Sequence, residues 1–168
     1  MATADVLFAQ HREGVFRYLC RSVGQADTAR DLTQEVFLRV ARSPVPEAEP
    51  PALRAWVFKI ARNLAINHAR DGQRRPETAD PPDRSGPATQ ELAAALRQAL
   101  ERLPAIERDV FLMRETAGLS YDEIAAACEI TPDAVRSRLQ RARGHLRETL
   151  GGALSARGAR GVRLTMPR

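Results

Sequence analysis

The chain has little of several residue types that would point to other classes of protein. Lys59 is the only lysine among the 26 basic residues, and aromatic residues make up 5% of the 168. The two cysteines, Cys20 and Cys128, lie far apart, and neither belongs to a C-x-x-C pair. We therefore expect two small core side chains in a reducing compartment.

The sequence also shows no signal for a metal site, a membrane span or a secretory leader. The three histidines are scattered and have no H-x-x-x-H spacing or neighbouring Cys or Asp cluster, which argues against a metal site. No apolar run approaches the ~20 residues needed to cross a bilayer. The N-terminus has no basic segment followed by an apolar one, so we expect no secretory signal and a cytoplasmic protein.

The sequence shows no arrangement typical of an enzyme. It has no nucleophile–base pairing, no Gly-rich phosphate loop and no cluster of metal ligands. We expect a protein that is not an enzyme, with no cofactor and no small-molecule substrate.

What the chain does have is arginine, together with a formal net charge of +5. The guanidinium group is a planar fork of donors that suits phosphates and guanine edges. An arginine-heavy genome would give the same bias. Composition alone therefore leaves a nucleic-acid partner and a compositional bias equally open.

Apolar residues recur with helical spacing almost throughout, and no alternating run indicates a strand. A segment rich in Pro, Gly, Asp and Arg separates two such regions and reads as a flexible linker. The predicted fold class is all-α, with two small helical domains. Their predicted order is an N-terminal helical bundle over 1–72, a linker over 73–90, a C-terminal four-helix domain over 91–150 and a basic, mostly disordered tail over 151–168.

The stretch "LSYDEIAAACEITPDAVRSRLQRARGHL" contains two helix starts with a short turn between them. Ser120 and Glu123 have the spacing of a capping box, and Thr131 followed by Pro132 is a second N-terminal signal. A short helix joined by a tight turn to a longer one is the helix-turn-helix plan, whose second helix enters the major groove of DNA.

The phase of the second helix selects its candidate DNA contacts. Val135, Leu139, Ala142 and Leu146 form an apolar stripe, so Ser137, Gln140 and Arg141 point the opposite way and Arg136 lies on the flank. Arginine can fork to guanine and glutamine to adenine. Arg138, Arg143 and Arg147 lie nearer the phosphates. The alternative is a solvated arginine face on an ordinary helical hairpin.

The chain resembles a known family in both halves. The segment from Leu103 to Glu148 is similar to region four of the extracytoplasmic-function sigma factors, the smallest class of the sigma-70 family. "DTARDLTQEVFLRVAR" resembles region 2.2, and "LRAWVFKIARNLAINHAR" resembles regions 2.3 and 2.4. The resemblance covers about residues 5–150 and keeps the family's order.

Two surfaces on the N-terminal helices acquire roles from this resemblance. On helix 27–42, Asp31, Gln34, Glu35 and Arg39 lie away from the apolar stripe; they form either a solvated face or, by resemblance, the surface that docks on the polymerase. On helix 52–71, an edge of cations and amides suits an unstacked single strand and would read the minus-ten element. Its members are Lys59, Arg62, Asn63 and Arg70.

Two further expectations concern pairs of individual side chains. Trp56 and Phe58 form either a stacking pair for bases or, for Trp56, part of the core. Tyr121 and Glu123 begin the first helix of the helix-turn-helix, where they would lie near the DNA backbone or an outer base.

The resemblance implies a sigma factor that directs core RNA polymerase to promoters. The implied partners are the core enzyme, through its beta-prime clamp helices and beta flap, promoter DNA, and an anti-sigma factor that could hold the chain at the membrane. The alternative from the helix-turn-helix alone is a stand-alone transcriptional regulator that needs no polymerase. Such a regulator would carry a ligand-binding or receiver domain in the N-terminal half.

Overall fold

The computed structural model describes the backbone of residues 2–72 and 87–160, and the side chains within 2–72 and 89–152. These residues form seven helices and no strand, so the all-α prediction is confirmed. In chain order the helices are α1 (Ala4–Val23), α2 (Ala26–Arg42), α3 (Pro50–Gly72), α4 (Pro87–Glu101), α5 (Ala105–Ala117), α6 (Tyr121–Cys128) and α7 (Pro132–Arg160).

The N-terminal half is the predicted three-helix bundle. Thr3 caps α1, and Gly24, with a φ of 77°, ends it in the left-handed conformation that glycine adopts without strain. The apolar stripes of α1, α2 and α3 meet in the middle of the bundle. Their fully buried members include Leu7, Val15, Leu19, Val36, Val40 and Val57.

The C-terminal half contains α4 to α7, with α5, α6 and α7 packed on one another and α4 against α7. Its buried side chains include Val110, Met113, Leu119, Ile124, Val135 and Leu139. Two boundaries differ from those predicted. Helix α4 begins at Pro87, inside the predicted linker 73–90, and α7 is helical to Arg160, inside the tail predicted to be disordered over 151–168. Residues 73–86 and 161–168 lie outside the described part.

The two halves pack directly against each other, α1 on α5 and α3 on α6. Helices α1, α3 and α5 meet at Gly14, where an added Cβ would lie 3.6 Å from Cζ of Phe58 and 3.8 Å from Cβ of Ala117. The buried residues of both halves form one continuous cluster. This contact between the halves was not predicted, since the sequence indicated two domains on a flexible tether.

Candidate nucleic-acid interface

The helix-turn-helix has the local geometry that its capping signals predict. The Ser120 hydroxyl accepts a hydrogen bond from the Glu123 amide at 3.2 Å, and the Ser120 amide donates to the Glu123 carboxylate at 2.6 Å. Thr131 caps α7 by accepting from the Ala134 amide at 3.1 Å. Between these helices Glu129 adopts a left-handed φ of 57°, which turns the chain sharply.

The phase assigned to α7 agrees with the structure. Val135, Leu139, Ala142 and Leu146 are buried against the rest of the C-terminal half. The opposite face is exposed, and it carries all four side chains selected from the sequence: Arg136, Ser137, Gln140 and Arg141. This face is therefore free to contact a ligand.

Two of these arginines are already oriented by acidic neighbours. Arg136 donates to Asp133 at 2.9 Å, and its guanidinium lies 5.9 Å from the centroid of the Tyr121 ring. Arg141, whose side chain is 59% exposed, has Nη1 at 3.9 Å from Glu107 Oε1. The buried Glu107 carboxylate also lies 3.6 Å from Nδ1 of His145. Sequence reasoning missed this carboxylate behind the exposed face.

The first helix of the motif differs from the sequence prediction at one site. Glu123 is buried, since its carboxylate closes the capping box and lies 3.5 Å from Nη1 of Arg54 in α3. In this arrangement Glu123 is not on a surface that DNA could reach, so the structure does not support its predicted contact. Tyr121 is half-buried, with Arg114 5.5 Å from its ring centroid.

The four side chains of α3 predicted to contact the minus-ten element have two different environments, because the two halves pack against each other. Asn63 and Arg70 are exposed, and Arg70 donates to Asn67 of its own helix at 2.9 Å. Lys59 instead donates to Glu129 at 2.8 Å, and Arg62 donates to Asp109 at 2.9 Å. Two of the four predicted contacts therefore face the C-terminal half rather than solvent.

Asp109 connects Arg62 of α3 to the buried Tyr18 of α1. It is buried, and its Oδ1 accepts a hydrogen bond at 3.1 Å from the hydroxyl of Tyr18, which is also buried. Burial and the adjacent Asp109 charge raise the pKa of Tyr18 well above its usual value. Burial acts to lower the pKa of Arg62, but the hydrogen bond and charge of Asp109 raise it overall. Tyr18 and Arg62, the two hydrogen-bond donors to Asp109, therefore both stay protonated.

The aromatic residues of α3 are not a stacking pair. Phe58 is buried, and its ring packs edge-on against Tyr18 with centroids 5.9 Å apart, so its predicted role in base stacking is wrong. Trp56 is half-buried against the core, which agrees with the alternative placement.

The candidate docking face of α2 is exposed as predicted. Asp31 and Gln34 face solvent, and Glu35 accepts a hydrogen bond from Arg39 at 2.9 Å. Leu38, with 47% of its surface exposed, follows Gln34 and Glu35 by one helical turn and adds an apolar contact to this face. Sequence reasoning did not include Leu38 because it considered only the polar members of the helix.

The described residues contain no group of three or more His, Cys, Asp and Glu side chains that could hold a metal ion. Cys20 and Cys128 are free thiols. Burial raises the pKa of Cys128 to about 12, and its sulfur lies 3.8 Å from that of Met113. Cys128 is therefore a core side chain with an unreactive thiol. No helix in the described part is both long and apolar enough to cross a membrane.

Family models match both halves of the chain. The model for sigma-70 region 2 matches residues 7–75, and the model for sigma-70 region 4 matches residues 93–146. The two matches correspond to the two helical halves, with the candidate docking and minus-ten surfaces in the first and the helix-turn-helix in the second.

Individual proteins match along most of the chain. The sigma factor CarQ of Myxococcus xanthus is 35% identical, over 86% of this chain and 87% of CarQ. The ECF sigma factor SigE of Mycolicibacterium smegmatis is also 35% identical, over 89% of this chain but only 62% of its own length. The chain therefore spans about three-fifths of the length of this longer relative.

A solved structure extends the similarity to the arrangement of helices. CnrH, in complex with the cytosolic domain of CnrY, superposes with a TM-score of 0.68 at 25% identity, over 89% of this chain and 88% of that one. With both family models and these relatives in agreement, the chain belongs to the extracytoplasmic-function sigma factors of the sigma-70 family.

Proposed function

We propose that this chain is the specificity subunit that directs core RNA polymerase to a set of bacterial promoters. The observation that carries the proposal is the presence, in one chain, of an exposed polar face on α2, a cation- and amide-bearing edge on α3 and an exposed Arg-Ser-Gln-Arg face on a helix-turn-helix. Members of this family are transcription initiation factors, so catalysis belongs to the polymerase.

The upstream promoter element would be read by α7. Its exposed face carries Arg136, Ser137, Gln140 and Arg141 within about the first three turns, the part of a recognition helix that enters the major groove. Arg141 can form two hydrogen bonds to guanine and Gln140 two to adenine. Arg143 donates to Glu115 at 2.7 Å, which holds it at the edge of this face, where a phosphate would lie.

The downstream, minus-ten element would be read by α3. Asn63 and Arg70 are exposed on that helix, and Lys59 and Arg62 lie on the same edge, paired with the C-terminal half. Amides suit base edges and cations follow a single-stranded backbone. We propose that all four side chains face DNA once the two halves separate.

Core polymerase would dock on α2. Replacing both Asp31 and Glu35 with lysine should lower the affinity for core enzyme by at least about tenfold, because like charges placed in a complementary interface cost several kcal/mol. The fold should persist, since exposed substitutions usually change stability by less than about 0.5 kcal/mol. Co-purification with core enzyme and a titration of the complex measure the effect.

The matched control replaces Glu47 and Glu49, two exposed acids before α3, with lysine and makes the same change in net charge. The control should bind core enzyme like the parent chain. If the Asp31/Glu35 variant and the parent chain bind core enzyme equally well, the assignment of α2 as the docking surface is wrong.

We further propose control by an anti-sigma factor, which could hold the chain at the inner face of the membrane, with the chain itself cytoplasmic. Support comes from the superposition on CnrH in its complex with CnrY, which spans both halves of this chain. A stand-alone helix-turn-helix regulator is not favoured, because the N-terminal half matches sigma-70 region 2 rather than a ligand-binding or receiver domain.

A further inference from the structure

We propose that Glu107, in the first turn of α5, is a positioning residue for promoter recognition. Its buried carboxylate orients Arg141 of α7 for contact with a base and pairs with His145 on the next turn of the same helix. The inference rests on the proposed reading of the upstream element by α7. It adds a residue that determines specificity without itself touching DNA.

Glu107 is an acid inside the C-terminal half, on the side of α5 that faces α7. Its side chain is 4% exposed. At about 100° per residue, Glu107 and Asp109 project from nearly opposite sides of α5, so Glu107 faces the recognition helix while Asp109 faces Tyr18 and Arg62. A charge that is removed from water in this way is costly unless it is paired. The presence of Glu107 therefore depends on the basic side chains of α7.

The two carboxylate oxygens of Glu107 face two different side chains of α7. Oε1 lies 3.9 Å from Nη1 of Arg141, and Oε2 lies 3.6 Å from Nδ1 of His145. Both distances are longer than a hydrogen bond, and Oε2 is buried with no hydrogen-bond partner in the described part of the chain. Arg141 and His145 are four residues apart and therefore neighbours on one face of the helix. A single buried acid thus serves two side chains that are each more than half exposed.

The distance between Glu107 and Arg141 leaves the donors of Arg141 free for DNA. At 3.9 Å the carboxylate attracts the guanidinium without accepting a hydrogen bond from any of its five N–H groups. The attraction favours conformations of Arg141 that stay beside α5, so the side chain loses less conformational entropy when it binds a base. Support of a binding side chain by a buried neighbour increases the precision of recognition.

His145 accounts for the second oxygen of the carboxylate. An unpaired negative charge close to DNA repels the phosphates, and a basic side chain beside it offsets that charge. A protonated His145 can donate from Nδ1 to Oε2 after a small movement, since 3.6 Å is only slightly longer than a hydrogen bond. We therefore expect His145 to affect the affinity for all sequences, and Glu107 to affect the preference at one base pair.

A purely structural role for Glu107 has different consequences. Glu107 lies in the first turn of α5, where the partial positive charge of a helix N-terminus favours a carboxylate. If this were its whole role, its removal would lower the stability of the C-terminal half and weaken binding to every sequence alike. A change confined to the base pair that Arg141 contacts therefore distinguishes positioning from stabilisation.

The test uses the full chain assembled with core polymerase and scores promoter selection position by position. Glu107→Gln removes the charge but keeps the size of the side chain. It should reduce discrimination at the base pair contacted by Arg141 roughly three- to tenfold, since an ion pair with one exposed member is weaker than a buried one. Glu107→Asp keeps the charge and should retain most of the preference. Glu101→Gln is the matched control, an exposed acid of α4, and should select promoters like the parent chain.

Two further variants test whether Glu107 acts through Arg141. In the Arg141→Ala background, Glu107→Gln should change the base preference no further, because the side chain that Glu107 positions is missing. His145→Ala should lower the affinity for all sequences roughly two- to fivefold and leave the base preference unchanged. Denaturant unfolding followed by circular dichroism establishes that each variant is folded. Should Glu107→Gln fail to fold, Glu107→Met, which also fills the site without a charge, takes its place with the same expected result.

The inference is overturned if the folded, uncharged variant keeps the parent's base preference or weakens binding to every sequence alike. It is also overturned if Glu107→Asp loses as much preference as Glu107→Gln, because charge would then not be the cause. Unchanged affinity in His145→Ala overturns the role of His145. The proposed reading of the upstream element by α7 fails separately, whatever Glu107 does, if Arg141→Ala alone leaves the upstream preference unaltered.

Discussion

Arg141→Ala should lower transcription from the cognate promoter roughly ten- to a hundredfold and relax the preference at one base pair of the upstream element. A bidentate contact between arginine and guanine contributes about 1–3 kcal/mol of discrimination. Arg141 lies on the exposed face of α7, with Nη1 at 3.9 Å from the buried Glu107 carboxylate. Promoter selection with the variant, scored position by position, measures both effects.

The control for this substitution is Arg147→Ala, an exposed arginine on the same helix at a proposed phosphate. It should weaken binding to all sequences alike and flatten the dependence on salt. The assignment of the groove-facing side is wrong if Arg141→Ala leaves the selected element unaltered while Arg147→Ala changes it. That face would then have to be redrawn around Arg143 and Arg147.

Leu139→Ala should lower the free energy of unfolding by about 2–5 kcal/mol and abolish upstream recognition through loss of structure rather than of a contact. Leu139 is 1% exposed and lies in the middle of the buried stripe of α7. Denaturant unfolding followed by circular dichroism measures the change in stability.

The adjacent residue provides a comparison, because Gln140 is exposed on the proposed reading face. Gln140→Ala should alter promoter preference while changing stability by less than about 0.5 kcal/mol. A loss of stability below about 1 kcal/mol for Leu139→Ala would mean that α7 is not anchored through this stripe.

The helices and the faces of α2 and α7 could be predicted because local patterns determine them. Capping signals identify Ser120 and Thr131 as the residues that cap the N-termini of α6 and α7. Helical phase separates the buried Leu139 from the exposed Gln140 and Arg141. Capping residues and apolar periodicity each involve residues that are close together in sequence. Both can therefore be recognised without knowledge of the tertiary structure.

The contact between the halves could not be predicted, since it joins residues far apart in sequence. Arg62 and Asp109 are 47 positions apart, and Tyr18 and Asp109 are 91 apart. The predicted contact of Glu123, which the structure does not support, lies at this junction, because its carboxylate faces Arg54 of α3. One signal was present: Asp109 precedes Val110 and lies one turn before Met113, so an acid lies on the apolar phase of α5. Such an acid predicts a buried cationic partner.

Transcription by core RNA polymerase from a library of randomised promoters tests the central proposal most directly. With core enzyme alone, with this chain alone and with both together, we expect transcripts above background only from the combination. The selected promoters should share an upstream and a downstream element, with Arg141→Ala altering only the upstream one and Asn63→Ala only the downstream one. The proposal would be contradicted if adding the chain selected no promoters, or if both substitutions altered the same element.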